Sequence, residues 1–125
     1  MRKFLLGLTA FTAMASGVAL AGVYFLGPKS DIAAVEVAER QSVHNHVSGV
    51  HVIGNYALVL EWFGTTFDPA HNGYSAFKRI SAEHWMTIYA HHQGPPGDQC
   101  PELVRHGVPG SIAHQLCTGW GDVGS

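Results

Sequence analysis

The chain has 125 residues, with seven basic residues against nine acidic ones, nine histidines, 15 glycines and two cysteines. Charged residues make up 13% and hydrophobic residues 46%, where an ordinary soluble domain carries roughly 25% charged. The length fits one small domain, and the composition is too apolar for disorder. A formal net charge of −2 is too weakly basic to hold a phosphate backbone, so nucleic acid is not an expected partner.

Arg2 and Lys3 precede an uncharged stretch, Phe4–Leu26, in which only Thr9, Thr12 and Ser16 are polar side chains. Its 23 residues suffice for a hydrocarbon core that needs about 20 helical residues, and exceed the apolar region of about 7–15 typical of a secretory signal. Length thus argues for an uncleaved signal anchor that holds the protein to the membrane through residues 4–26. Ala13-Met14-Ala15 and Ala19-Leu20-Ala21 supply the small residues of a cleavage site, and cleavage after Ala21 would expose Gly22-Val23-Tyr24-Phe25, which is apolar for a mature terminus. Both readings stand, and a buried core helix is the third, although a soluble helix would show a polar face. The basic residues before the run leave the amino end in the cytoplasm and send the rest across. The protein is expected to be exported, periplasmic or anchored in the inner membrane with its domain outside. Residues 1–27 are read as signal peptide or anchor, 28–118 as a small α+β domain and 119–125 as a frayed tail. Beyond Gly27 five basic residues face nine acidic ones, a mildly acidic balance that does not favour an anionic surface.

Past the targeting run, Ser30 or Asp31 can cap a short helix over Asp31–Gln41, with Ile32, Val35, Ala38 and Glu39 at helical spacing. From Val43 the period changes to two. Val47–Ile53, a turn at Gly54-Asn55 and Tyr56–Phe63 form one hairpin. Tyr56, Leu58, Leu60 and Trp62 share one face of the second strand and Ala57, Val59 and Phe63 the other, so it reads as a central strand in which Glu61 needs a partner or an opening to water. Tyr74–Ile80 and His84–His91 form a second hairpin around Ser81-Ala82-Glu83, completing a four-stranded antiparallel sheet. Pro95-Pro96 stops the sheet, because prolines cannot donate to a ladder. Two short helices follow, Glu102–His106 closed by Gly107, and Ser111–Cys117 with Ile112 and Leu116 inward.

Cys100 and Cys117 are an even pair beyond an export signal, which favours a disulfide over free buried thiols or metal ligation. The loop they close is about as long as the 15-residue case, for which chain entropy gives roughly 3 kcal/mol. No C-x-x-C pair points to redox chemistry.

The pattern Val50-x-Val52-x-Gly54-x-Tyr56-Ala57-Leu58, Trp62, Gly73-Tyr74-Ser75-Ala76-Phe77-Lys78-Arg79, Trp85 and Gly107-Val108-Pro109 resembles small exported bacterial proteins of uncertain function, some described as copper uptake system-associated. The resemblance spans residues 50–116. It implies an export-associated accessory domain linked to copper, and it supplies no catalytic residues.

Chemistry is sought first among the histidines. In a strand i and i+2 share a face, so His44 and His46 can offer two imidazoles to one ion, ligation that suits copper or zinc. His91 or His92 would complete that metal site; alternation sends the two to opposite faces, so only one joins. His51, His71, His84, His106 and His114 are scattered singles read as surface or core residues. Catalysis is the weakest reading: G-x-S-x-G and H-E-x-x-H are absent, and Glu61, Asp68 and Glu83 have no evident partners. Trp62, Tyr74, Trp85 and Tyr89 either fill the core or line a groove, and apolar residues on both strand faces leave room for a protein partner or a homodimer. The function expected is an exported, non-catalytic accessory or interaction domain, with transition-metal binding as the alternative and a small hydrolase behind both.

Overall fold

The computed structural model describes residues 24–42, 46–62 and 72–120. In chain order these form β1 (Phe25–Leu26), α1 (Lys29–Ser42), β2 (His46–Ile53), β3 (Tyr56–Trp62), β4 (Asn72–Ser81), β5 (His84–His92), a 3₁₀ turn (Pro96–Asp98), α2 (Gln99–Arg105) and α3 (Gly110–Cys117). The α+β class holds. The sheet, however, has five strands in the order β1-β2-β3-β4-β5 rather than four, and it is mixed, because β1 pairs parallel to β2 while the rest are antiparallel.

The sheet lies between two helical layers. Leu58, Leu60, Tyr74 and Ala76 face α2 and α3, packing with Leu103, Ala113, Leu116 and Trp120. Ala57, Val59 and Phe77, with Val50 and Val52, face Val35 of α1. Central strand β3 is therefore covered on both sides, as its two apolar faces require. Gly54-Asn55 joins β2 to β3, with Ile53 opposite Tyr56. Gly54 alone carries the positive φ of +60°, the pattern of a II′ turn whose twist matches the strands.

Three expectations fail for identifiable reasons. The apolar run does not stay helical to Leu26: Phe4–Val23 lies outside the described residues, but Phe25 pairs with Val50 and Leu26 with His51. The Val50 amide donates to the Tyr24 carbonyl at 2.6 Å. Gly49 permits this approach, since a Cβ there would collide with the Tyr24 carbonyl and come within 2.9 Å of the Trp120 ring. Among the described residues no helix is long and apolar enough to cross a membrane. The tail does not begin at Gly119, because Trp120 is buried, stacks on His51 at 3.7 Å between ring centres and donates its indole N–H to the Leu116 carbonyl at 2.7 Å. Finally, α1 starts at Lys29, so neither Ser30 nor Asp31 is its cap.

Asp31 instead receives a bidentate pair from Arg79 of β4, at 2.9 and 2.7 Å. The same guanidinium donates to Asn55 Oδ1 and to the Gly54 and Ala82 carbonyls, and lies 4.5 Å from the centre of the Trp85 ring. One side chain thus ties both hairpin turns to the start of α1. Arg79, first through its hydrogen bonds and then through its charge, holds the Asp31 carboxyl below the usual carboxylate range.

Arg79→Ala is expected to cost about 2 kcal/mol, the scale for losing hydrogen bonds to a charged partner. Trp120→Ala is expected to cost about 3–5 kcal/mol. Urea unfolding checks both, and a Trp120→Ala cost within about 0.5 kcal/mol, the range of ordinary surface changes, would return residue 120 to a tail.

Candidate functional site: two polar clusters at one end of the sheet

The antiparallel register sets the start of β2, the end of β3, the start of β4 and the end of β5 at one end of the sheet: His46 opposes Trp62, Trp62 opposes Asn72, and Tyr74 opposes His92. Two polar clusters form there, one under each helical layer.

The first cluster gathers around Glu61. Its side chain lies on the α1 face of β3 and is fully buried, as is that of Glu39 from α1. Ser75 of β4 donates its hydroxyl to both Glu61 oxygens, at 3.2 and 3.3 Å. His91 of β5 donates from Nδ1 to Glu61 Oε1, and its backbone N–H donates to Ser75 Oγ at 3.2 Å. Burial first, then the hydrogen bond and the charge of Glu61, push the Glu39 carboxyl up to about 9. At neutral pH Glu39 therefore keeps its proton, and two carboxyls can be buried together without two full charges. His91 has the only positive φ among described non-glycine residues, +58°, a conformation that costs of order 1 kcal/mol.

The β4–β5 register shifts between Tyr74 and Ala76 and again between Ala76 and Phe77. As a result Ile88 and Tyr89 both pack toward α2 and α3, against the strict alternation expected. His91 then faces Glu61, while His92 faces the other layer, as the two-face reading requires.

The second cluster surrounds Gln99, which is fully buried at the start of α2. Its Oε1 lies 3.1 Å from both the Tyr89 hydroxyl and His92 Nδ1, and its Nε2 donates to the His92 carbonyl at 3.4 Å. Glu102 lies beside it, with His92 Nε2 at 3.5 Å, His106 Nε2 at 3.0 Å and Arg105 at 2.8 Å. Burial, then the charges of Glu102 and Tyr74, raises the Tyr89 hydroxyl above its ordinary value.

The two histidine pairs are not shown meeting. His44 lies outside the described residues, and of His46 only the backbone is described, at the start of β2. Two strands separate β2 from β5, roughly 14 Å of sheet at the usual spacing. His51 is a buried core residue, His84 binds Ser81 Oγ at 2.9 Å, His114 is exposed, and His71 lies outside the described residues. Among the described residues no group of three or more His, Cys, Asp or Glu could hold a metal ion. Of the carboxylates singled out from sequence, Glu83 is an exposed turn residue and Asp68 lies outside the described residues. Glu39, Gln99, Glu102 and His106 were not foreseen as cluster members; the signal available was a charged residue at a core-facing helical position, as at Glu39.

No family model, no curated protein and no solved structure matches the chain.

Because Glu39 is protonated in the folded protein and titrates near 4.5 when free, its contribution is fully favourable below about pH 4.5. It is lost as pH rises toward 9, with a slope approaching about 1.4 kcal/mol per pH unit for one proton. Denaturant titrations from pH 5 to 9 should show stability falling with pH, and Glu39→Gln should flatten that fall while raising stability at pH 8. A slope unchanged by the substitution would mean that the proton sits elsewhere.

Proposed function

We propose that the chain is an exported, non-catalytic accessory or interaction domain that works outside the cytoplasm. The observation that carries this reading is the cysteine pair: Cys100 of α2 and Cys117 of α3 stand as a disulfide, with Cα atoms 5.4 Å apart, the arrangement that an oxidising compartment preserves. The cross-link fastens to each other the two helices that cover one face of the sheet.

The amino-terminal edge supports cleavage rather than anchoring. Tyr24, Phe25 and Leu26 are engaged by β2, so an uncleaved anchor would have to leave the bilayer and enter the sheet without a linker. Cleavage after Ala21 leaves two residues, Gly22 and Val23, before that contact in sequence. The apolar character of the new terminus then has a use, because it supplies the edge strand.

A hydrolytic reading finds little support in the cluster that most resembles one. Ser75, His91 and Glu61 have the composition of a nucleophile, a base and an orienting carboxylate. Yet the serine hydroxyl points to Glu61 and is buried. In a triad the histidine bonds the carboxylate through one ring nitrogen and the nucleophile hydroxyl through the other; here the first contact is present but the hydroxyl is given to Glu61 itself. For a protein partner or a second copy, Ile80 and Met86 on the outer hairpin are 62% and 50% exposed and offer apolar surface.

Transition-metal binding, by copper or zinc, is the second reading. The observation favouring it is that His91 and His106 each set one ring nitrogen against a carboxylate, the partner that orients metal-bound imidazoles through the nitrogen opposite the metal in known sites.

Cell fractionation with intact-mass measurement of the full chain tests the export reading. The expected product lies outside the cytoplasm, starts at Gly22 and gains mass on reduction as one disulfide opens. A cytoplasmic product with an intact apolar run and two alkylatable thiols would overturn it.

A further inference from the structure

Helix α1 carries apolar surface on its outer side as well as its inner one. With about 3.6 residues per turn, the buried Val35 and Glu39 that face the sheet leave Ser30, Ala33, Val37 and Arg40 on the opposite side of the helix. All four are exposed, Val37 by 54% and the Arg40 side chain by 68%. A single exposed valine needs no explanation, but this one borders a groove. The helix and the β4–β5 turn enclose about 560 Å³ between Ala33, Ala34 and Val37 on one side and Ala82 and Glu83 on the other, with Ser30 and Asp31 at the amino-terminal end.

The two carboxylates of the groove differ. Asp31 is neutralised by the bidentate Arg79 guanidinium, whereas Glu83 is exposed and meets no cation among the described residues. A cation able to answer it stands on the same helix: Arg40 is held only by Glu36, one turn away at 3.5 Å, a surface pair of the weak kind. A second α1 laid antiparallel over the groove, about a two-fold axis at the level of Val35, sets Ala33 of each copy opposite Val37 of the other and Ser30 opposite Arg40. Each valine then fills the space over the other copy's alanines, which are small enough for the helices to approach to about 8 Å, the near end of the usual range. Each Arg40 arrives at Ser30, beside the unanswered Glu83. Lys29, the remaining cation of the first turn, falls opposite Gln41 and so meets no like charge in this register.

We infer that α1 and the β4–β5 turn form a self-complementary surface on which a second copy of this chain docks antiparallel, with Val37 as the apolar contact and an Arg40–Glu83 ion pair made twice about the two-fold axis. The inference rests on the interaction-domain reading given above and names its partner and its surface. A helix of 14 residues is about 21 Å long, so the contact belongs to the small end of specific interfaces, and the dimer is expected to form with a Kd of roughly 10–100 μM.

The test is sedimentation equilibrium of the chain purified from the exported fraction, from about 1 μM to about 1 mM, a range that brackets the expected Kd. Arg40→Glu and Glu83→Arg each set like charges together at both ends of the contact and are expected to weaken the dimer at least about 10-fold, as is Val37→Asp. The double variant Arg40→Glu/Glu83→Arg restores the pair with its sense reversed and should recover most of the affinity, a result that a general loss of stability or solubility would not produce. Met86→Asp, on the outer hairpin, should leave the dimer unchanged. All these positions are exposed, and circular dichroism establishes that each variant is folded. A chain that stays monomeric to about 1 mM, far above the expected Kd, overturns the inference, as does a dimer that survives the α1 substitutions and is lost in Met86→Asp. Either result leaves the interaction-domain reading to another partner or surface, and that reading fails separately, by a cytoplasmic product in the fractionation experiment.

Discussion

The need to cover both faces of β3 governs the fold. Leu58 and Leu60 on one side and Ala57 and Val59 on the other are inaccessible to solvent, and a strand with two apolar faces cannot lie at a surface. A chain of this size has few helices with which to cover them. It uses α1 on one face and α2 with α3 on the other, and the long 72–92 hairpin extends both surfaces. The layers are then fixed at their edges: Arg79 binds the α1 start to both hairpin turns, and the Cys100–Cys117 disulfide joins the two helices of the other layer.

The opposite end of the sheet is built on different physics. Glu61 continues the α1-facing row of β3 into a fully buried position, where an apolar residue would pack at no electrostatic cost. The protein keeps a carboxyl there and adds a second, Glu39, with a proton retained at neutral pH. Ser75 and His91 supply the remaining hydrogen bonds, and His91 adopts a left-handed backbone to do so. None of this is needed to close the core. Local features that oppose stability and agree with each other in space are where functional demands usually show, and here they occur at the same sheet end as the Gln99 and Glu102 cluster.

The hairpins were legible because their evidence is local. Period-two runs flank Gly54-Asn55 and Ser81–Glu83, and Pro95-Pro96 ends the sheet wherever it stands. The doubly buried β3 followed from the same alternation, and Glu61 stood out as the residue needing a partner. Strand β1 was hidden because two residues carry no period, and they sat at the end of a run long enough to span a bilayer. Trp120 was hidden by its glycine neighbours, whose composition reads as a tail although the indole closes the space over His51. The Arg79 clamp links residues 48 positions apart, and no window of sequence contains both. Among the site residues, the split of His91 from His92 followed from alternation, but their partners Glu61, Gln99 and Glu102 depend on register and on where α2 docks.

The double register shift in β4–β5 links these observations. Without it, strict alternation would set Tyr89 on the face of Trp85, toward α1, and away from Gln99 and His106. With it, Tyr89 joins His92 on the α2 side, while His91 faces Glu61 as alternation already sets. Tyr89 then lies 5.9 Å from the His92 ring and 5.2 Å from that of His106, between centres. It thereby forms an apolar wall behind both imidazoles while its hydroxyl fixes Gln99. A bulge that re-aims side chains in this way is a common device near sites of function. Here it brings Tyr89 beside His92, while the two neighbouring histidines, split by alternation, belong to two separate carboxylate clusters, one closed around a retained proton and one with both imidazoles open to solvent.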